Sequence, residues 1–122
     1  RGVDMFDCVM PTRIGRNGTA LTAAGRKLLK RAEFRYDAAP IEEGCRCPAC
    51  RSYPRGAVRH FLKTGETLGG TLVALHNVWF MNRFLARVRE AIRGGTLAAL
   101  SRSLPRYRNS GADEEDAGGP DA

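Results

Sequence analysis

Apolar and polar positions divide this chain into an apolar start, a turn-rich middle and a helical second half. Residues 5–10 form a short apolar run that Pro11 ends, and this pattern predicts a buried strand. Residues 19–36 contain short apolar segments on either side of a turn signal near residues 23–25. They predict a hairpin or meander, although helix and strand are hard to separate there.

The second half has the period of an α-helix. Val58, Phe61 and Leu62 recur at helical spacing, and Gly65 suits the end of that helix. A longer apolar stripe follows and ends at the two glycines 94–95; its members are Leu68, Leu72, Leu75, Trp79, Phe80, Phe84, Val88 and Ile92. This stripe predicts one long helix whose aromatic residues belong to the core rather than to a surface on which bases stack.

Length and charge limit the possible functions. The 122 residues allow one small domain, and the chain begins at Arg1 and enters an apolar run almost at once, so we expect a fragment of a larger protein. Residues 109–122 carry five acidic residues and no Lys or Arg, which predicts a disordered acidic tail. The rest has 20 basic and 8 acidic residues, a net charge of +12. Such an excess indicates a polyanionic partner such as nucleic acid, although solubility alone explains many basic surfaces.

Three cysteines, Cys45, Cys47 and Cys50, lie within six residues, and His76 follows on the inward side of the long apolar stripe. Three thiolates and an imidazole are the ligands of a tetrahedral zinc ion, and four protein ligands leave no open position for water. The sequence therefore favours one structural zinc ion. By spacing alone, His60 is a second candidate for the fourth ligand.

Two other interpretations of the cysteines carry less weight. The pair Cys47 and Cys50 has the spacing of a redox motif, but no signal peptide or long apolar segment indicates an oxidising compartment. We therefore expect a cytoplasmic protein with no membrane partner. Cys8 lies in the first apolar run and is expected to be a small buried hydrophobic residue.

The first apolar run also contains a carboxylate. Asp7 is costly inside a strand unless it lies at the strand end and faces a polar cleft, or caps the next turn, and composition alone does not separate these possibilities. The glycine-punctuated loop after Pro11 carries Arg13 and Arg16 and ends in an Asn-Gly turn signal at residues 17–18. Arginines on such a loop suit phosphate or base recognition, and a solvated basic turn is the alternative.

Several of these motifs together resemble a known family. The run from Gly2 to Arg13 (GVDMFDCVMPTR), the Arg-Asn-Gly at 16–18, the C-x-C-x-x-C at 45–50 and the Leu-His-Asn at 75–77 are similar to the C-terminal part of the tRNA-guanine transglycosylases, also called queuine tRNA-ribosyltransferases. The similarity covers roughly residues 1–108 in order and spacing.

The resemblance implies an α/β fold, namely the C-terminal fragment of a (β/α)8 barrel with an inserted zinc-binding subdomain. Residues 1–18 would supply the last barrel strand and an anticodon-recognition loop. Residues 19–76 would form the hairpin and the zinc-binding subdomain, and residues 77–108 a closing helix. The tail 109–122 lies outside the resemblance.

The resemblance also assigns roles to residues. Asp7 matches the family nucleophile, which attacks C1′ of guanosine 34 in the tRNA anticodon, and Val9 beside it would line the ribose pocket. The zinc ligands would be Cys45, Cys47, Cys50 and His76, which sets His60 aside. The residues expected to bind RNA are Thr12, Arg13, Ile14, Gly15 and Arg16.

The implied enzyme is a pentosyltransferase of queuosine biosynthesis with one structural Zn²⁺. Its partners would be a tRNA with a GUN anticodon, a 7-deazaguanine base (preQ1 or queuine) and a second copy in a homodimer. The base pocket and the second carboxylate would come from upstream strands, so the 122 residues alone are expected to be inactive. The alternative is a non-catalytic, zinc-stabilised module for tRNA binding or a subunit interface.

Overall fold

The computed structural model of the chain describes residues 2–105. One long helix lies at the centre of the fold, and the other elements pack along it. In chain order the elements are α1 (Met10–Arg16), β1 (Thr19–Thr22), β2 (Gly25–Leu28), a 3-10 helix (Ala32–Phe34), α2 (Pro48–Ser52), α3 (Arg55–Lys63), α4 (Thr67–Arg93) and α5 (Leu97–Ser103). Helix α4 contacts α1, β1, α2, α3 and α5.

The predicted long helix is confirmed as α4, which spans 27 residues. It ends at Arg93 with Gly94 as its C-cap, and Gly95 adopts a φ of +68°, a left-handed conformation that glycine accepts without strain. The division of the chain at residues 76/77 stays a prediction; α4 runs through that point without a break. The two glycines instead separate α4 from α5, so the closing segment consists of two helices.

The predicted hairpin is also confirmed. Strands β1 and β2 pair antiparallel, from Thr19 opposite Leu28 to Thr22 opposite Gly25. The turn is formed by residues 23–24, and Gly25 has a φ of +118°. All four residues of β1 are buried, because this strand lies between β2 and α4.

The N-terminal segment differs from its prediction. Residues 2–9 have no regular secondary structure, and Met10 already begins α1, so the strand predicted over residues 5–10 is absent. A strand is stable only when a neighbour pairs with its backbone, and within residues 2–105 the ladder consists of β1 and β2 alone. Cys8 is consequently exposed, and its predicted burial is wrong.

The segment predicted as a basic loop is helical instead. Pro11 stands in the first turn of α1, where its fixed φ and missing N–H are tolerated. Residues 12–16 continue the helix, and its C-terminus is closed by the Asn17 N–H, which donates to the Ile14 carbonyl at 3.1 Å, and by the Gly18 N–H, which donates to the Gly15 carbonyl at 2.9 Å. The Asn-Gly pair thus ends a helix and does not form the hairpin turn.

The core is small and lies around the cysteine segment. Its buried members are Ala20, Leu29, Ile41, Cys47, Ala49, Val58, Leu72 and Val73, and the partly buried Cys45, Cys50, Tyr53, Phe61 and Leu62 pack against them. None of the helices within residues 2–105 combines the length and the apolar character that a bilayer crossing requires. The predicted disordered tail, 109–122, lies outside the described residues.

Candidate functional site

Four side chains from two separate parts of the chain meet at one buried point. The Sγ atoms of Cys45, Cys47 and Cys50 and a ring nitrogen of His76 all lie within 4.8 Å of one another. The three sulfurs lie 3.7, 3.5 and 3.4 Å from His76 Nδ1. A tetrahedral zinc site with Zn–S of about 2.3 Å and Zn–N of about 2.0 Å has S···N edges of about 3.5 Å. The predicted cluster is therefore confirmed, and it is suited to one metal ion.

The local sequence explains how three cysteines point to one place. Cys47 is the N-cap of α2, and its sulfur accepts a hydrogen bond from the Cys50 N–H at 3.3 Å. Pro48 fills the first helical position, where a missing N–H costs nothing. Cys50 then lies one turn further on the same side of α2, and Gly44, with a φ of +75°, turns the chain into Cys45.

The histidine is held in the form that binds a metal. His76 is fully buried, and its Nε2 donates a hydrogen bond to the carbonyl of Leu21 at 2.8 Å. A proton on Nε2 leaves the lone pair of Nδ1 directed at the three sulfurs. Burial lowers the pKa of His76, which keeps the ring neutral at neutral pH. His60, the other candidate for the fourth ligand, is exposed on α3 and lies outside the cluster.

The thiols are in an environment that opposes their ionisation without a cation. Burial, and then contact with the neighbouring thiol Cys47, raise the pKa of Cys45 and Cys50 above the ordinary thiol value. A reactive redox pair needs the opposite shift, towards thiolate at neutral pH. A bound cation would offset the cost of ionising Cys45 and Cys50, so the raised pKa of these two thiols favours a metal site over a redox pair.

Asn77, to which the sequence analysis assigned no role, is a buried polar residue beside the metal cluster. It is fully buried, its Oδ1 accepts from the Leu21 N–H at 2.8 Å, and its Nδ2 donates to the carbonyls of Pro11 and Thr19, each at 2.9 Å. One side chain thereby joins α1, β1 and α4. The available signal was its position next to His76 on the buried side of a long helix, where a polar residue needs a partner.

Helix α1 presents two different faces. Pro11 and Gly15, four residues apart, are buried, whereas Arg13 and Arg16, three residues apart, are exposed together on the outer side. Thr12 and Ile14 are half-buried, and the Thr12 hydroxyl donates to the Val9 carbonyl at 3.1 Å. Two of the five residues predicted to bind RNA thus present charge to solvent, while Gly15 is occupied by helix packing.

The predicted nucleophile lies just before this helix. Asp7 is exposed, three residues ahead of Met10, and so is Val9. Met5 and Phe6 are exposed to 87% and 82% of their surface, an unusual state for such large apolar side chains. The structure therefore leaves Asp7 accessible, in a segment whose apolar neighbours lack a covering layer within residues 2–105.

Comparison with known proteins adds a direct observation. The family described as queuine tRNA-ribosyltransferase matches residues 1–110. Proteins named queuine tRNA-ribosyltransferase from Geobacillus kaustophilus and Pediococcus pentosaceus are 49% and 50% identical to this chain, over 98 and 97 residues that make up 80% of it. The one from Bacillus pumilus is 52% identical over 93 residues, or 76% of the chain. The aligned part is 24–26% of these relatives, so the chain spans about a quarter of their length.

Proposed function

We propose, from the premise that this chain belongs to the queuine tRNA-ribosyltransferase family, that it supplies the nucleophile and an RNA-recognition helix of a tRNA-guanine transglycosylase. The observation that carries this proposal is the family match across residues 1–110, which includes the exposed Asp7, α1 and all four metal ligands. Because the chain spans a quarter of its relatives, the activity belongs to the whole protein and is proposed as such.

The proposed reaction consists of two displacements at one carbon. The Asp7 carboxylate attacks C1′ of guanosine 34, the C1′–N9 bond breaks, and guanine leaves with the bonding electrons and takes up a proton. A 7-deazaguanine base then loses a proton and attacks C1′, which releases the carboxylate. The negative charge of Asp7 stabilises the positive charge that develops on the ribose, and two inversions retain the configuration. The product is a precursor of queuosine if the incoming base is preQ1, and queuosine itself if the base is queuine.

The recognition surface would be the outer face of α1. A carboxylate that reacts with a ribose needs the nucleotide lifted out of its stack, and arginine side chains can hold the neighbouring bases and phosphates. Arg13 and Arg16 point outward from the helix that begins three residues after Asp7. The substrate that fits this arrangement is the anticodon loop of a tRNA with a GUN anticodon.

The metal would have a structural role. Cys45, Cys47, Cys50 and His76 would hold one Zn²⁺ with four protein ligands, and the ion would supply cross-linking of the cysteine segment to α4. A core this small gains most of its rigidity from such a link. The alternative interpretation, a non-catalytic tRNA-binding or subunit-interface module, would use the same metal site but would not need Asp7.

Three further features belong to the same proposal. The segment before α1 would become the last strand of a (β/α)8 barrel once upstream strands pair with it, which would also cover the exposed Met5 and Phe6. The whole protein would act as a homodimer in the cytoplasm. The 122 residues alone would not exchange guanine, because the base pocket and the general acid-base residue would lie upstream.

The proposal is tested with the whole protein that carries this segment, by exchange of labelled guanine into tRNA and by trapping of the covalent protein–RNA adduct on a denaturing gel. Asp7→Asn should abolish both signals and leave tRNA binding within about twofold, because the amide keeps the size of the side chain but is a poor nucleophile. Glu33→Gln removes another exposed carboxylate and should change neither signal. An unchanged exchange rate in Asp7→Asn would refute the nucleophile. A wild-type protein that binds tRNA without exchange would identify the non-catalytic module.

A further inference from the structure

Two adjacent residues of α4 bind the same backbone residue of β1. His76 Nε2 donates to the Leu21 carbonyl, and Asn77 Oδ1 accepts from the Leu21 N–H, both at 2.8 Å. Leu21 therefore has both of its backbone groups bound to α4, on the edge of β1 that faces away from β2. A metal ligand and a buried amide are thus joined through one residue of the hairpin.

The second half of the Asn77 side chain reaches the recognition helix. Its Nδ2 donates to the carbonyls of Pro11, in the first turn of α1, and of Thr19, at the start of β1, each at 2.9 Å. These three bonds satisfy the oxygen and both hydrogens of the amide in a fully buried site. A buried amide that is completely bonded in this way has one possible orientation, so it fixes the elements that it joins.

The packing around this residue leaves little freedom for an alternative arrangement. Gly15 of α1 lies so close to α4 that an added Cβ would be 2.7 Å from the Cα of Ala74 and 3.1 Å from the Asn77 Nδ2. The position of α1 against α4 is consequently set by two contacts, namely the backbone contact of Gly15 with Ala74 and the hydrogen bond from Asn77 to Pro11. The exposed residues Arg13 and Arg16 belong to the same short helix.

We infer that Asn77 is a positioning residue that couples the metal cluster to the RNA-recognition helix. A bound ion would hold His76, while His76 and Asn77 together bind Leu21 and Asn77 binds the first turn of α1, four residues after Asp7. This inference rests on the proposed function for its biological meaning, since it explains how a structural ion would help to hold Arg13, Arg16 and Asp7 in place. The coupling itself is a property of the fold and is measurable without any activity.

The test compares four samples of the whole protein. The wild type and an Asn77 variant are each measured with zinc and after its removal. Asn77→Asp keeps an oxygen for the Leu21 N–H, but a carboxylate cannot donate to the carbonyls of Pro11 and Thr19. The matched control is Asn82→Asp on the same helix, because Asn82 is exposed and its amide donates only to the local Val78 carbonyl. Hydrogen exchange of the α1 amides from Arg13 to Arg16 is the readout, and Co²⁺ absorption reports whether the metal site is intact.

In the wild-type protein and in Asn82→Asp, removal of zinc should speed α1 exchange about tenfold. In Asn77→Asp, α1 should exchange about as fast with zinc as the wild type does without it, while the Co²⁺ spectrum stays tetrahedral. Equal protection of α1 by zinc in wild type and Asn77→Asp would overturn the inference. If Asn77→Asp loses the tetrahedral Co²⁺ spectrum, Asn77→Ser is measured in its place. Loss of this spectrum in both variants would also overturn the inference, because Asn77 would then support the whole fold.

The link to function has its own readout. Asn77→Asp should raise the KM for tRNA about tenfold and change kcat less, because the recognition helix loses its fixed position before RNA binds. Equal loss of kcat and kcat/KM would contradict a role in RNA positioning. A wild-type protein without guanine exchange would refute the proposed function, and the exchange protection of α1 would still decide the coupling.

Discussion

The Cα of Ala74 lies where the side chain of any residue larger than glycine at position 15 would have to begin. A Cβ built on Gly15 would be 2.7 Å from the Ala74 Cα and 2.8 Å from its backbone nitrogen, distances that real Cβ atoms do not show. Both obstructing atoms belong to the backbone of α4, so no side-chain rotation relieves the contact. The φ of Gly15 is not positive, so its backbone conformation does not require glycine. Glycine is required at this position because the two helices approach each other so closely.

Replacement of Gly15 by alanine should destabilise the fold by about 1–3 kcal/mol, because α1 must move away from α4 to accommodate the methyl group. Urea unfolding followed by circular dichroism measures the change. Gly94→Ala is the matched control, since its Cβ would meet only ordinary contacts, with the Glu90 carbonyl oxygen at 3.4 Å. The control should stay within about 0.5 kcal/mol of wild type. Equal midpoints for Gly15→Ala and wild type would show that α1 does not pack as described.

The metal cluster predicts a clear division among the four cysteines. Cys47→Ser should reduce bound zinc from one per chain to well below stoichiometry, because a hydroxyl is a poor substitute for a thiolate and Cys47 is the buried N-cap of α2. Cys8→Ser should keep one zinc per chain, since Cys8 is exposed and outside the cluster. Metal analysis of the purified protein gives both values. Zinc content that does not respond to Cys47→Ser, or that falls in Cys8→Ser, would contradict the assigned ligand set.

Removal of the metal should also lower stability. The core contains Cys47 itself and packs against Cys45 and Cys50. Removal of the ion would therefore remove the cross-links between these thiols at the centre of the core. Chelation should therefore lower the thermal midpoint by at least about 10 °C, and added zinc should restore it. Cys47→Ser should melt at the temperature of the chelated wild type and should not respond to zinc. A thermal midpoint that is independent of zinc would show that the ion has no structural role.

Local signals explain which parts of the fold could be predicted from the sequence. The period of apolar residues predicted α4 nearly to its ends, because one helix face is buried from Gly69 to Asn77 and half-buried at Phe80, Phe84 and Val88. The expectation that the aromatic residues of this stripe belong to the core was wrong for Trp79, which is 37% exposed. The turn signal before Gly25 predicted the hairpin. The spacing of the cysteines, together with the inward position of His76, predicted the metal cluster. Each of these depends on a pattern that is contained within a few neighbouring residues or on the known geometry of metal ligands.

The errors of prediction came from contacts that no local pattern records. The apolar run at residues 5–10 predicts a strand, but a strand exists only where another one pairs with it. Gly15 predicts a loop, yet its missing side chain serves helix packing against Ala74. The three bonds of Asn77 span 56 to 66 residues of sequence, so nothing near Asn77 in the chain could have indicated its partners.

A partly buried ion pair makes a further prediction away from the metal. Arg55 Nη1 lies 3.1 Å from Asp37 Oδ2, with 14% and 24% of the two side chains exposed, and Arg55 Nε donates to the Pro40 carbonyl at 2.7 Å. Arg55→Ala should cost about 2 kcal/mol of stability, because the partly buried Asp37 carboxylate loses its cation and keeps the Ala39 N–H at 2.9 Å, while the Pro40 carbonyl loses the guanidinium donor.

The control for this pair lies on α4. Arg93 pairs with Glu90 at the surface, with 70% and 72% of the side chains exposed, and Arg93→Ala should change stability by less than about 0.5 kcal/mol. Urea unfolding of both variants makes the comparison. Equal costs would mean that the partial burial around Arg55 contributes nothing to the strength of its contacts.

The outer face of α1 makes the last prediction, which depends on the proposed function. Arg13→Ala and Arg16→Ala should each weaken tRNA binding by about 1–3 kcal/mol, and a residue that contacts phosphate should also reduce the slope of log Kd against log salt by about one. Neither change should affect zinc content, because both side chains are exposed and neither residue belongs to the metal cluster. Arg51→Ala is the control, since it removes an exposed arginine of the same charge from α2. If RNA binding is directed by α1, Arg51→Ala will bind tRNA within about twofold of wild type at every salt concentration. If the three variants lose affinity equally, general positive charge explains binding and α1 has no special part in it.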